Sequence, residues 1–84
     1  VRYLISYDLR KPGRNYDALW DLLTGIRAHR VLQSQFVVRR YNTDSKSLVT
    51  SIRSVMDHND GLLVCELDGH GWYGWNMKNK ISEI

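Results

Sequence analysis

Asp8 stands first among the residues able to do chemistry. It closes Arg2-Tyr3-Leu4-Ile5-Ser6-Tyr7-Asp8, a run rich in aromatic and β-branched types. A carboxylate at a strand end is a hard oxygen ligand, suited to Mg²⁺ beside a phosphate. The reaction would be phosphodiester hydrolysis, with the metal polarising a phosphate oxygen and activating water. The same position also suits a plainer role, accepting backbone N–H groups of the next loop. That loop carries Arg10, Lys11 and Arg14 around Pro12-Gly13. Such side chains grip phosphates by charge and by fork-shaped hydrogen bonding. It is no Walker loop, because the glycines and the Lys-Ser/Thr pair are missing. Arg27, Arg30, Arg39 and Arg40 would extend a basic track, or form a solvated face.

Other reactive types give weaker signals. Trp72, Tyr73 and Trp75 could stack on bases, cover a core edge or fill a dimer interface. His29, His58 and His70 are scattered, with no i, i+4 pair for a metal and no Ser–His–Asp signature. Cys65 is the lone cysteine and sits in the apolar run 61–67, so it reads as a core residue. One cysteine forms no intrachain disulfide, which fits a reducing, cytoplasmic setting.

Net charge is +3, and its distribution is uneven. Residues 1–40 hold eight basic side chains, seven of them arginine, against three acidic ones. The rest of the chain is slightly acidic. A polyanion partner, DNA or RNA, is the expectation for the first half. No 18-residue apolar stretch is present, so no membrane partner is expected. Nor does Val1-Arg2-Tyr3-Leu4 have the form of a signal peptide.

Periodicity supplies the elements that must position these groups. Residues 2–8 predict a strand with Tyr3, Ile5 and Tyr7 on one face. Asn15 is a good cap for a helix over 16–28, where Tyr16, Leu19, Trp20, Leu23 and Ile26 form one stripe. Residues 30–41 are too long for one strand, and a bend at Gln33-Ser34-Gln35 splits them into about 29–33 and 35–41. Asn42-Thr43-Asp44 supplies the cap of a second helix over 45–57, with Leu48, Val49, Ile52, Val55 and Met56 on one side. Gly61 lies near its C-terminal cap, and 62–67 is a buried strand. Trp72–Trp75 could add a short extension, and the last nine residues look loosely held.

This order gives an α+β fold. It is a ferredoxin-like βαββαβ sandwich, an antiparallel sheet with two helices on one face and the other face open. The 84 residues make one domain, with a core over about 2–67 and an extension over 68–84. A core this thin gains from dimerisation.

The string Tyr3-Leu4-Ile5-Ser6-Tyr7-Asp8-Leu9 resembles the first strand of the small CRISPR-associated adaptation protein, companion of the integrase in spacer acquisition. Arg30-Val31-Leu32-Gln33-Ser34-Gln35-Phe36 resembles that family's second strand. Tyr7 to Tyr16, with Gly71-Trp72-Tyr73-Gly74-Trp75, looks closest to the SinR-like branch; the VapD ribonucleases are more distant. The family's C-terminal strand has no counterpart in the Gly/Trp-rich tail. The resemblance implies a homodimer in which two copies of Asp8 face each other across the axis, jointly holding Mg²⁺. It implies that Ser34 donates a hydrogen bond near Asp8. The expected function is nucleic-acid handling, either as an Mg²⁺-dependent endonuclease using Asp8 and Ser34 or as a non-catalytic binding or scaffolding module.

Overall fold

The computed structural model describes residues 1–69 and 71–84; His70 lies outside the described residues. The elements run β1 (Arg2–Asp8), α1 (Asp17–Gly25), β2 (His29–Leu32), β3 (Gln35–Arg39), α2 (Ser45–Arg53) and β4 (Gly61–Glu66), followed by a 3₁₀ turn at Ile81–Glu83. The sheet order is β2-β3-β1-β4, and every neighbouring pair is antiparallel. This is the ferredoxin-like α+β arrangement expected from the element order.

Alternation along β1 decides the two faces. Tyr3, Ile5 and Tyr7 are buried, and they share one core with Leu19 and Leu23 of α1, Leu48 and Ile52 of α2, and Phe36, Val38, Met56 and Val64. Both helices therefore cover the same face of the sheet. Tyr7, Trp20 and Phe36 form an aromatic cluster at the β2–β3 side of that core, with ring centroids 5.8–6.4 Å apart.

Local signals set the element ends. Asn15 Oδ1 accepts from the Asp17 N–H at 2.8 Å, and Asp44 Oδ1 accepts from the Ser47 N–H at 2.7 Å. Helix α1 stops at Gly25, short of the expected residue 28. Arg27 turns left-handed at φ 62°, its N–H donates to Thr24 O, and the Ala28 N–H donates to Leu23 O. That closing pattern satisfies orphan carbonyls but leaves no further helical turn. Helix α2 ends at Arg53 rather than 57, because Val55 and Met56 donate three residues back, to Ile52 and Arg53. Met56 still reaches the core.

The expected break in 30–41 is a two-residue turn, Gln33-Ser34, joining β2 to β3. Pairing skips Val31 between Arg30↔Phe36 and Leu32↔Gln35, a bulge in β2. Val31 is thereby turned into the second face, where it is fully buried.

Two expectations about that second face are corrected. It is not wholly open, and the last nine residues are not loosely held. Val31, Val37, Leu67 and Ile81 form a second buried cluster, joined by Leu4, Met77 and Ile84. The Lys78 N–H donates to Val31 O at 2.9 Å, and Asn79 Nδ2 donates to Arg30 O at 2.7 Å. Arg2 Nη1 donates to Ile81 O, and Arg39 Nε donates to Ile84 O. The tail thus packs against residues of β1, β2 and β3. Residues 72–75 add no strand to the sheet. Cys65 is only half-buried, opposite Leu4 on this second face. Among the described residues no helix is long and apolar enough to cross a membrane.

Candidate functional site

Asp8 is the last residue of β1 and pairs with Gly61, the first of β4. Its side chain is 67% exposed, and Arg10 Nε donates to its Oδ2 at 2.9 Å. Gly61 makes that pairing feasible. A Cβ at position 61 would lie 2.8 Å from Arg10 Nη2 and 3.5 Å from Asp8 Cβ. The missing side chain leaves a shelf on which the guanidinium lies, with Nη1 donating to Asn59 O at 3.3 Å. Gly61 therefore begins a strand and shapes the site, rather than capping α2.

The loop after β1 is held by Asp60 and not by Asp8. Asp60 Oδ1 accepts from the Arg10 N–H at 2.7 Å, Oδ2 accepts from the Asp57 N–H at 2.8 Å, and both oxygens lie 2.9 Å from the Tyr16 hydroxyl. Burial would push this carboxyl up. The Arg10 and Asp57 N–H groups, the Tyr16 hydroxyl and the nearby Arg14 charge outweigh it and hold the pKa below the usual range. Tyr16, drawn into the same knot, is raised by burial and by its bond to the carboxylate. Arg14 lies 3.5 Å from Asp57 and 5.4 Å over the Tyr16 ring. The two ends of the loop are therefore tied to the turn before β4, and Lys11-Pro12-Gly13 is left exposed between them.

A pocket of about 300 Å³ opens beside Asp8, lined by Tyr7, Leu9, Trp20, Arg30, Gln33 and Ser34. Arg30 is the fixed cation here. Its guanidinium carbon sits 5.4 Å over the Trp20 ring and 5.0 Å over Phe36, and Nη2 lies 3.5 Å from the Tyr7 hydroxyl. Tyr7 donates that hydroxyl to Gln33 O at 3.3 Å, and burial raises its pKa despite Arg30. The Tyr7 N–H donates to Ser34 O at 3.1 Å, which pins the β2–β3 turn to the end of β1. Ser34 is exposed and lines the same pocket as Asp8.

The seven basic residues expected to contact nucleic acid divide between two ends of the sheet. Arg10, Lys11 and Arg14 stand at the Asp8 end, and Arg30 reaches the Asp8 pocket. Arg39 pairs with Arg2 at the far end, the Arg40 N–H donates to Val1 O, and Arg27 precedes β2 on that same side. One continuous track through all seven is not formed within the chain.

Magnesium is commonly held by one or two carboxylates together with substrate phosphates. Asp8 supplies one such carboxylate, exposed and engaged by a single arginine. Among the described residues no three His, Cys, Asp or Glu side chains gather as a metal cluster. A cation at Asp8 would therefore draw its other ligands from substrate phosphates, water or a second copy of the chain. Sequence reasoning missed Asp60, Tyr16 and Gly61 as site-builders. Two of them are polar groups whose partners lie more than forty residues away, and the third acts through an absent side chain.

Neither the protein-family models nor the curated proteins contain a match to this chain.

Proposed function

We propose that this chain is a homodimeric nucleic-acid-binding protein of the cytoplasm, related to the CRISPR-adaptation and SinR-like group, which receives backbone phosphates at the Asp8 end of its sheet. One observation carries the reading: Arg30, held over two aromatic rings, lines one pocket with an exposed carboxylate, and the Arg10–Lys11–Arg14 loop follows that carboxylate at the same end of the sheet. The Asp8–Arg10 pair is a surface pair, worth about 0–1 kcal/mol, so a phosphate exchanges for it readily. The pinned guanidinium loses little freedom on binding, which favours a bidentate phosphate contact.

A second reading rests on the exposure of Asp8. That carboxylate, with substrate phosphates, could hold Mg²⁺ for phosphodiester cleavage, with Ser34 donating a hydrogen bond nearby. A partner copy of Asp8 would complete the ligand set.

The test is binding of labelled RNA and DNA by fluorescence anisotropy across a salt series. Affinity should fall steeply with salt. The Arg10→Ala/Lys11→Ala/Arg14→Ala variant should flatten the log–log slope by about 1 for each phosphate that the loop neutralises. Salt-independent binding, or none, overturns the proposal. Incubation with Mg²⁺ and with chelator, beside Asp8→Ala, decides the second reading. Cleavage that persists in Asp8→Ala removes it. Light scattering reports the dimer.

A further inference from the structure

Three aromatic side chains fall within four residues of the tail, and the fold leaves them facing solvent: Trp72 is 40%, Tyr73 97% and Trp75 87% exposed. They are not strays from a loose end. The segment is anchored on both sides, by Leu67 in the second core before it and by Met77 and Ile81 after it. Gly74 lets it lie close, because a Cβ there would strike the Met77 sulfur. Together with Leu4, Leu32 and Gln35 the rings border an apolar groove of about 220 Å³ on the second face of the sheet.

The position of that groove is informative. Leu32 and Gln35 line it, while Gln33 and Ser34, the two residues between them, line the Asp8 pocket. The β2–β3 hairpin end thus borders both, with its turn on the phosphate pocket and the flanking residues on the aromatic groove. Two basic side chains lie close along the chain. Lys78 and Lys80 are exposed on the same segment, and among the described residues neither forms a salt bridge.

We infer that the tail is a stacking platform for unpaired bases, and that the nucleic acid taken by this protein is single-stranded. The inference rests on the phosphate-binding reading and names its substrate class. A strand with a phosphate beside Arg30 and Asp8 crosses the Gln33-Ser34 turn and lays its next bases on Trp75 and Tyr73, with Lys78 and Lys80 meeting the backbone beyond. Exposed rings stack on any unpaired base, because each base presents a π face. Bases inside a duplex already stack on one another and offer these rings nothing.

The experiment compares Tyr73→Ala/Trp75→Ala with the parent chain on a labelled single-stranded oligonucleotide and on the duplex of the same sequence, at fixed salt. Both rings are almost wholly exposed, so the fold should persist, with an unchanged melting temperature. The parent should prefer the single strand. The variant should lose about tenfold or more in single-strand affinity for each ring, with duplex binding unchanged. Tyr73→Phe/Trp75→Phe should restore the parent's affinity. Equal single-strand affinity in the alanine variant overturns the inference. So does a variant that falls from dimer to monomer while keeping its affinity, which assigns the rings to a second copy of the chain. If the basic-loop variant weakens binding and the aromatic one does not, this inference alone fails. A parent chain that binds no nucleic acid ends both.

Discussion

Arg10 lies beside Asp8 because residue 61 has no side chain. A methyl group there would sit 2.8 Å from a guanidinium nitrogen, and the flexible arginine would give way before the strand did. Gly61→Ala should therefore fold, with stability within about 1 kcal/mol of the parent. Its nucleic-acid affinity should drop to the level of Arg10→Ala, which anisotropy titration would measure. An unchanged affinity would mean that the Arg10 head makes no phosphate contact. Asp8 and the basic loop were legible in the sequence because a strand-end carboxylate and a Pro-Gly loop are local signals. The knot that holds the loop was not. Tyr16 reads as one more apolar residue of a helical stripe, and its hydroxyl reaches Asp60, 44 residues along the chain. The pinning of Arg30 likewise needed the β2–β3 register, which sets it opposite Phe36.

Among the elements, the strands and helices were readable because each carries its own period. Their ends were less so. Arg27 and Val55–Met56 stop the helices by backbone hydrogen bonding that has no residue signature as plain as glycine or proline. The tail was misread because Met77, Ile81 and Ile84 stand singly among polar residues, although their i, i+4, i+7 spacing was an available hint of one apolar side. Ile81 is 6% exposed and closes the second core over Val31 and Val37. Ile81→Ala should cost about 2–4 kcal/mol in urea denaturation. A loss below about 0.5 kcal/mol would show the tail detached in solution.

For the whole molecule, three carboxylates are held below the usual carboxylate range, and two of them tie distant segments together. Asp60 joins the two loops at the Asp8 end. Asp44 caps α2 through Ser47, and Asp68 takes the Arg2 guanidinium at the far end. A carboxyl whose pKa is depressed by folding adds stability above its unfolded value, about 3.9, and that stability is lost as pH falls through the depressed value. Melting temperature should thus fall on acidification from about pH 5 toward pH 2. Asp60→Asn should melt lower than the parent at neutral pH and show a shallower acid limb. Parallel pH curves for the two would remove Asp60 from the account.

The bulge at Val31 has a consequence for how copies can add to one another. Its carbonyl and that of Arg30 are already satisfied by the tail, so the β2 border of the sheet is sealed to an incoming strand. β4 forms the opposite border and carries no such cover among the described backbone bonds. A sheet with one closed and one bare margin has a valence of one. Were copies to add strand to strand, association would end at a pair, and runaway polymerisation would have no second edge on which to continue.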